Sequence, residues 1–351
     1  MSQKNETLPL LLALIITGGL IAFGGWWLSE KGKQPPVIAP KSNPSPEPIP
    51  NNTGQEAQTF AEIQNIPTGL FNYGGSTTWA PIRDKVDQAI QIVHPRFQLR
   101  YTQPIADAPG SGTGIKMLIS DQLAFSQSSR PLKDEEYNKA KDRGFTLQQI
   151  PVAIDGIAFA VHPSLNISGL TLNQIKDIYT GKITNWNQVG GENLPIIPCS
   201  RSLEAGGTVE FFVENVLGKE NFSSDVKIIS TTTEALRFVG NNRGALYYAS
   251  APEVVPQCTV KTIPIGKTSD QMVTPYQQPF VPLSQCPNSR NQLNKTAFQN
   301  GDYPITRRLF VIVKNNGQID ETAGLIYTKL LLTDQGQKLI AEAGFISLSG
   351  E

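Results

Sequence analysis

Apolar residues recur along this chain at two intervals that alternate. From Ala80 onward Ile82, Val86, Ala89, Ile90 and Val93 repeat at three and four, which predicts a helix ended by His94-Pro95. Compact apolar stretches on either side of it, Gly69 to Tyr73 and Phe97 to Thr102, read as short strands. APGSGTGIKMLIS predicts a short helix behind a glycine loop, and DQLAFSQSSRPL a strand that ends among hydroxyls. IPVAIDGIAFAVHP is apolar almost throughout, as expected of a strand buried in a mostly parallel sheet or passing between lobes. LTLNQIKDIYTGKITNWNQVGG then reads as a helix and an aromatic turn, and LPIIPCSR as a strand. After it Val209, Phe212, Val213 and Val216 form a helical stripe. Thr231 to Val239 predicts another helix, and GALYYAS, TVKTIPI and ITRRLFVIVK predict strands. Thr322 to Ala343 predicts one closing helix, stopped by Gly344. Strands alternating with helices make the fold class α/β with substantial parallel sheet.

The first residues follow a different pattern. Leu8 to Leu28 carries no charge and is long enough to cross a bilayer as a helix. Trp26 and Trp27 sit at its outer end, where such rings favour the interface. The segment reads as an uncleaved anchor, with removal as a signal segment the alternative. The run QPPVIAPKSNPSPEPIPNNTGQ after it is an extended, proline-rich spacer. The expected division is 1–7 on the cytoplasmic side, 8–28 in the membrane, 29–60 as linker, and a globular remainder.

Charge and composition narrow the function. Thirty basic and thirty acidic residues in 351 leave no net charge, so no broad basic field for nucleic acid is implied. Three cysteines, widely spaced, do not make a zinc framework, and His94 and His162 each precede a proline rather than forming an acid–base pair. Neither a metal site, a cofactor nor a hydrolase is supported. What remains is anion chemistry. CSRSLEAGGTVEFF places Arg201, two glycines and Thr208 just before a helix whose first N–H groups lack intrahelical partners. Ser76, Thr77 and Thr78 stand at a second such N-terminus, and Ser111, Gly112, Thr113 and Gly114 at a third. The lysine-serine ending of a nucleotide-binding P-loop is absent. Ser126, Gln127, Ser128, Ser129 and Arg130 add hydroxyls beside a basic residue.

The segments GSTTWAP, PGSGTGIKML, FSQSSRPL, AIDGIAFAVHP, LNQIKDIYTGKITNW, SRSLEAGGTVEFF, GALYYAS, YPITRRLFVIVK and DQGQKLIAEAGFISL cover nearly everything from Phe71 to Leu348. In that order the chain resembles the extracytoplasmic phosphate-binding proteins of Pst-type ABC transporters, particularly the cyanobacterial branch. The resemblance implies a two-lobed periplasmic-binding-protein fold of type II with the ligand cleft between lobes. One lobe is expected from 61–154 and 266–351, the other from 155–265. It implies inorganic phosphate as ligand, held by Thr77, Thr78, Ser111, Ser129, Arg201, Gly207 and Thr208. Ser76, Gly112, Arg130, Glu204 and Gly206 are further candidates, Arg130 either as a ligand contact or as an ion partner beside the lid. Two departures stand out. Ser129 occupies the place of an aspartate in the best-known branch, and the arginine–threonine loop is one residue longer, with Gly206 where a serine is common. Glu204 then becomes the nearest acid able to accept the proton of phosphate. An exported domain also meets an oxidising compartment, so Cys258 and Cys286 are expected to pair and leave Cys199 free. The implied protein is a periplasmic monomer that hands phosphate to ABC permease subunits. A membrane-tethered phosphate sensor, or a binder of another tetrahedral oxyanion, is the alternative.

Overall fold

The computed structural model describes residues 57–203 and 207–348. The expected membrane segment, most of the linker, Glu204 and Gly206 lie outside the described residues. Among the described residues no helix is long and apolar enough to cross a membrane. The folded body reaches back to the end of the expected linker. Phe60 is fully buried, and its N–H donates to Gln335 Oε1 at 2.9 Å.

The strands are β1 (Gly69–Gly75), β2 (Phe97–Tyr101), β3 (Phe125–Ser128), β4 (Thr146–Val161), β5 (Leu170–Thr171), β6 (Ile197–Ser200), β7 (Lys227–Ile228), β8 (Ala245–Ser250), β9 (Lys261–Thr262), β10 (Ile265–Gly266), β11 (Met272–Val273) and β12 (Thr306–Asn315). The large sheet runs β2-β1-β3-β12-β4-β8-β6-β7, with β9 also on β4, while β5, β10 and β11 form a small sheet apart. Its outer pairs are parallel: β1 with β2 and β3, and β6 with β7 and β8. The middle is antiparallel. β12 runs against both β3 and β4, and β4 against β8. The sequence expectation of a mostly parallel sheet therefore holds only away from the centre, because the two longest strands are crossing strands rather than members of βαβ units.

One strand joins two cores. Thr146 to Gly156 of β4 pair with β12, and Ile157 to Val161 pair with β8. The first core gathers Trp79, Ile82, Phe125, Tyr327 and Leu330 on one face of the sheet, with Ile115, Leu118 and Ile312 on the other. The second gathers Phe159, Tyr179, Trp186, Phe212 and Tyr248. Phe298, Tyr303 and Ile305 pack with this second core. Gly156 makes room for that docking, since a Cβ there would lie 1.9 Å from the Phe298 ring. Each large apolar side chain so buried contributes about 1.5–3 kcal/mol.

The closing helix is two helices, Ile319–Leu332 and Asp334–Glu342. Thr333 separates them in extended conformation, and its hydroxyl accepts from Gly336 N. A residue of this type competes for backbone donors and starts a new helix. The apolar periodicity runs across the break and does not reveal it.

Candidate functional site

The predicted anion-binding segments emerge from the carboxyl ends of neighbouring strands, where open α/β sheets place ligands. β1 ends at Gly75 and delivers Ser76, Thr77 and Thr78, while β3 ends at Ser128 and delivers Ser129. β6 ends at Ser200 and delivers Arg201, and β8 ends at Ser250 and leads into the Ala251–Val254 turn of helix carrying Glu253. Ser111 opens the Ser111–Ile119 helix, and Gly207 and Thr208 open the Gly207–Asn215 helix. The sequence places Thr208 just before the helix; the structure puts it inside the first turn instead.

Three serines converge. Ser76 Oγ donates to Ser129 Oγ at 3.0 Å, Ser111 Oγ lies 3.2 Å from Ser129 Oγ, and Ser129 N–H donates to Ser111 Oγ at 3.0 Å. All three are fully buried. Gly207 covers them so closely that a Cβ there would lie 2.6 Å from Ser129 Oγ and 3.2 Å from Ser76 Oγ. Only glycine lets the second core's helix approach the first core's hydroxyls this way.

Beside the serines lies a cavity of about 240 Å³ lined by Thr77, Thr78, Arg201, Thr208, Thr232 and Glu253, among others. Arg201 Nε is buried and has no hydrogen-bond partner among the described residues. A buried, unpaired guanidinium N–H is costly, so this atom marks where an external acceptor belongs.

Arg307, which the sequence shows only as part of a strand, connects the serines to the cavity. Its Nε donates to Asp155 Oδ2 at 2.9 Å, and Nη1 to the Gly207 carbonyl at 3.1 Å. Nη2 reaches Thr78 Oγ1 at 3.1 Å and Thr208 Oγ1 at 3.0 Å. The Arg307 and Asp155 side chains are 1% and 0% exposed, and Ser250 Oγ donates to Asp155 Oδ1 at 2.6 Å. A signal was available. Arg307 has the parity of buried Ile305 and Leu309, and Asp155 interrupts an equally apolar run on the paired strand.

Glu253 was also missed, because GALYYASAPE offers no pattern that distinguishes it. Water reaches its side chain, yet the cavity walls enclose it, and this desolvation together with the nearby charge of Asp155 raises its pKa. Arg130 has protein partners. Its guanidinium pairs bidentately with Glu136 at 2.8 and 3.0 Å and donates through Nε to Glu210 at 3.0 Å. Gly112 sits beside it, where a Cβ would lie 3.3 Å from Arg130 Nη2. Cys258 and Cys286 form a disulfide. Cys199 is free and buried, its thiol pushed up to about 12 by desolvation. Among the described residues no group of three or more His, Cys, Asp and Glu could hold a metal ion.

The family model for the PBP superfamily domain matches residues 53–331. The chain belongs to the PBP superfamily. Within that superfamily it is 27% identical over 276 residues to the phosphate-binding protein PstS of Staphylococcus epidermidis, covering 78% of this chain and 77% of the relative. It is 26% identical to PstS of Staphylococcus aureus, with 78% and 76% covered. Among solved structures it resembles a candidate phosphate ABC transporter substrate-binding protein from Clostridium perfringens with bound phosphate. That match has a TM-score of 0.62 and 25% identity, over 80% of this chain and 100% of that one. An ABC-type phosphate transport receptor from Vibrio cholerae, at 23% identity and TM-score 0.62 over 79% and 99%, shares the fold. The type II, two-lobed architecture is that of these PBP proteins.

Proposed function

We propose that this protein captures inorganic phosphate in the cleft between its two cores and presents it to the permease subunits of an ABC transporter, without transforming it chemically. The observation that carries this reading is that Arg201, whose buried Nε has no partner among the described residues, lines a cavity together with Thr77, Thr78 and Thr208, one wall from each core. Neutral hydroxyls and one arginine hold an oxyanion strongly in a water-poor site without a metal. In this reading Arg201 supplies the charge, and Thr77, Thr78, Gly207 and Thr208 supply positioned donors. Ser76, Ser111 and Ser129 form the floor, and Arg130 stays with its glutamates. The chain returns to the first lobe near Ile305 rather than at 266, since Phe298 and Tyr303 belong to the second core. The names of the staphylococcal relatives support phosphate as the ligand, and the Clostridium perfringens neighbour, a candidate phosphate ABC transporter substrate-binding protein, supports ABC transport as the context. The Leu8–Leu28 segment would hold the module on the outer face of the membrane, as a monomer.

Isothermal titration of residues 56–351, a compact unit, with phosphate, arsenate, sulfate and molybdate tests this reading. Saturable binding of phosphate is expected, and its absence with binding of another anion would reassign the ligand. Incubation with a chromogenic phosphate ester, with or without zinc or magnesium, is expected to release nothing above background.

A further inference from the structure

We infer that Arg307 is a positioning residue for the anion: held by Asp155, it takes a lone pair from Thr78 Oγ1 and another from Thr208 Oγ1 and so turns both hydroxyl protons toward the ligand. The inference rests on the phosphate-binding reading above.

A hydroxyl has one hydrogen to give and two lone pairs to receive. Arg307 can only donate, so at 3.1 and 3.0 Å from the two oxygens it makes acceptors of both. Thr78 Oγ1 and Thr208 Oγ1 lie 3.5 Å apart and line the same cavity as Arg201. At 3.5 Å the contact between the two hydroxyls, which either could donate, is too long to hold a proton firmly, so an oxyanion in the cavity can draw both protons. Without Arg307 neither hydroxyl would have the N–H that fixes the direction of its lone pair, and each could rotate its proton towards a carbonyl.

Arg307 is not itself the ligand's charge partner. Its Nε donates to Asp155 and Nη1 to the Gly207 carbonyl, and Nη2 lies 2.8 Å from Asp155 Oδ2 as well as near the two threonines. Every nitrogen is engaged with protein, and Asp155 neutralises the charge. Arg201 Nε, by contrast, is buried with no hydrogen-bond partner among the described residues. The placement also explains why such an arginine sits on a crossing strand. Arg307 faces Asp155 in the β12–β4 register, so its anchor is in the strand pair common to both cores. From there it reaches Thr78, beside the first core, and Thr208, beside the second. Its bonds to both form only when the two cores stand as they do here. The positioned donors are therefore available in the closed arrangement.

The test is a set of double-mutant cycles on the full chain, with phosphate affinity measured by equilibrium dialysis up to millimolar ligand and folding followed by thermal melting. Arg307→Lys keeps a charge near Asp155 but cannot hold two hydroxyls at once, and it should weaken phosphate binding about tenfold. In a Thr78→Val or a Thr208→Val background the same change should cost only about threefold, because one of the held hydroxyls is already gone. Losses of equal size in all backgrounds, or none in the wild type, would overturn the inference. If Arg307→Lys does not fold, the neutral pair Arg307→Gln/Asp155→Asn replaces it with the same expected cycle and the same overturning outcome. A variant that only lowers the melting temperature, leaving the affinity of the folded protein intact, also counts against it. Wild type that binds neither phosphate nor arsenate overturns the functional reading along with this one, whereas equal losses beside tight wild-type binding overturn this one alone.

Discussion

At the scale of single residues the site depends on which groups carry charge into it. Arg201→Ala should weaken phosphate binding at least tenfold, about 1.4 kcal/mol or more, since a buried charge-assisted contact is lost. Unchanged affinity in a titration would remove Arg201 from the site. Glu253 is the described acid on the cavity wall. Beside an anion it either repels the ligand or shares a proton with it. Enclosure by the cavity walls and the charge of Asp155 raise its pKa, which favours sharing. Phosphate brings a proton at neutral pH and sulfate does not, so Glu253→Gln should lose phosphate affinity and gain sulfate affinity. Equal preference in both proteins would place selectivity elsewhere, and the same substitution at Glu204, outside the described residues, would be the next to measure.

Among the elements, the Ala80–Val93 helix carries the first anion loop at its start and is fixed by a buried acid. Asp87 on that helix accepts from Tyr73 Oη on β1 and, at 2.8 Å, from Tyr327 Oη on the Ile319–Leu332 helix. Gln127 Nε2 donates to Tyr327 Oη at 2.9 Å, and Arg83 donates to Gln127 Oε1 and to the Ser76 carbonyl. Desolvation outweighs the two tyrosine donors and pushes the Asp87 carboxyl from 3.8 up to about 6. The native state therefore binds this proton before the unfolded chain does. The Asp87 contribution makes the fold more stable as pH falls from above 6 towards 4, by about 3 kcal/mol when complete. Chemical denaturation across that window should show this gain in the wild type and a flatter profile in Asp87→Asn. Identical profiles would mean that Asp87 titrates normally.

For the whole molecule, ion pairs join the two cores beside the site. Arg130 and Lys133 meet Glu210, and Lys133 also meets Glu214 at 2.7 Å, both acids lying on the helix that begins at Gly207. Partly exposed pairs of this kind are worth about 0.2–1 kcal/mol each and are screened by salt. Glu210→Gln/Glu214→Gln should weaken phosphate binding a few-fold at low salt and reduce the salt dependence of binding. Unaltered salt dependence would show that these pairs do not assist closure. Much of this molecule was legible in the chain itself. Apolar spacing gave most helices and strands, because each element buries one face and the period of that face is local. Hydroxyls, glycines and Arg201 pointed to anion chemistry for the same reason, since they act through nearby backbone. Tertiary structure alone decided the rest. The helix break at Thr333, the antiparallel pairing of β12 with β4, and the packing of Tyr276, Phe298 and Tyr303 in the second core depend on partners far away in sequence. Arg307 belongs in that group. In the sequence it is a charge at the head of an apolar strand, and only the register that sets it against Asp155, with Thr78 and Thr208 carried in by separate elements, turns it towards the site.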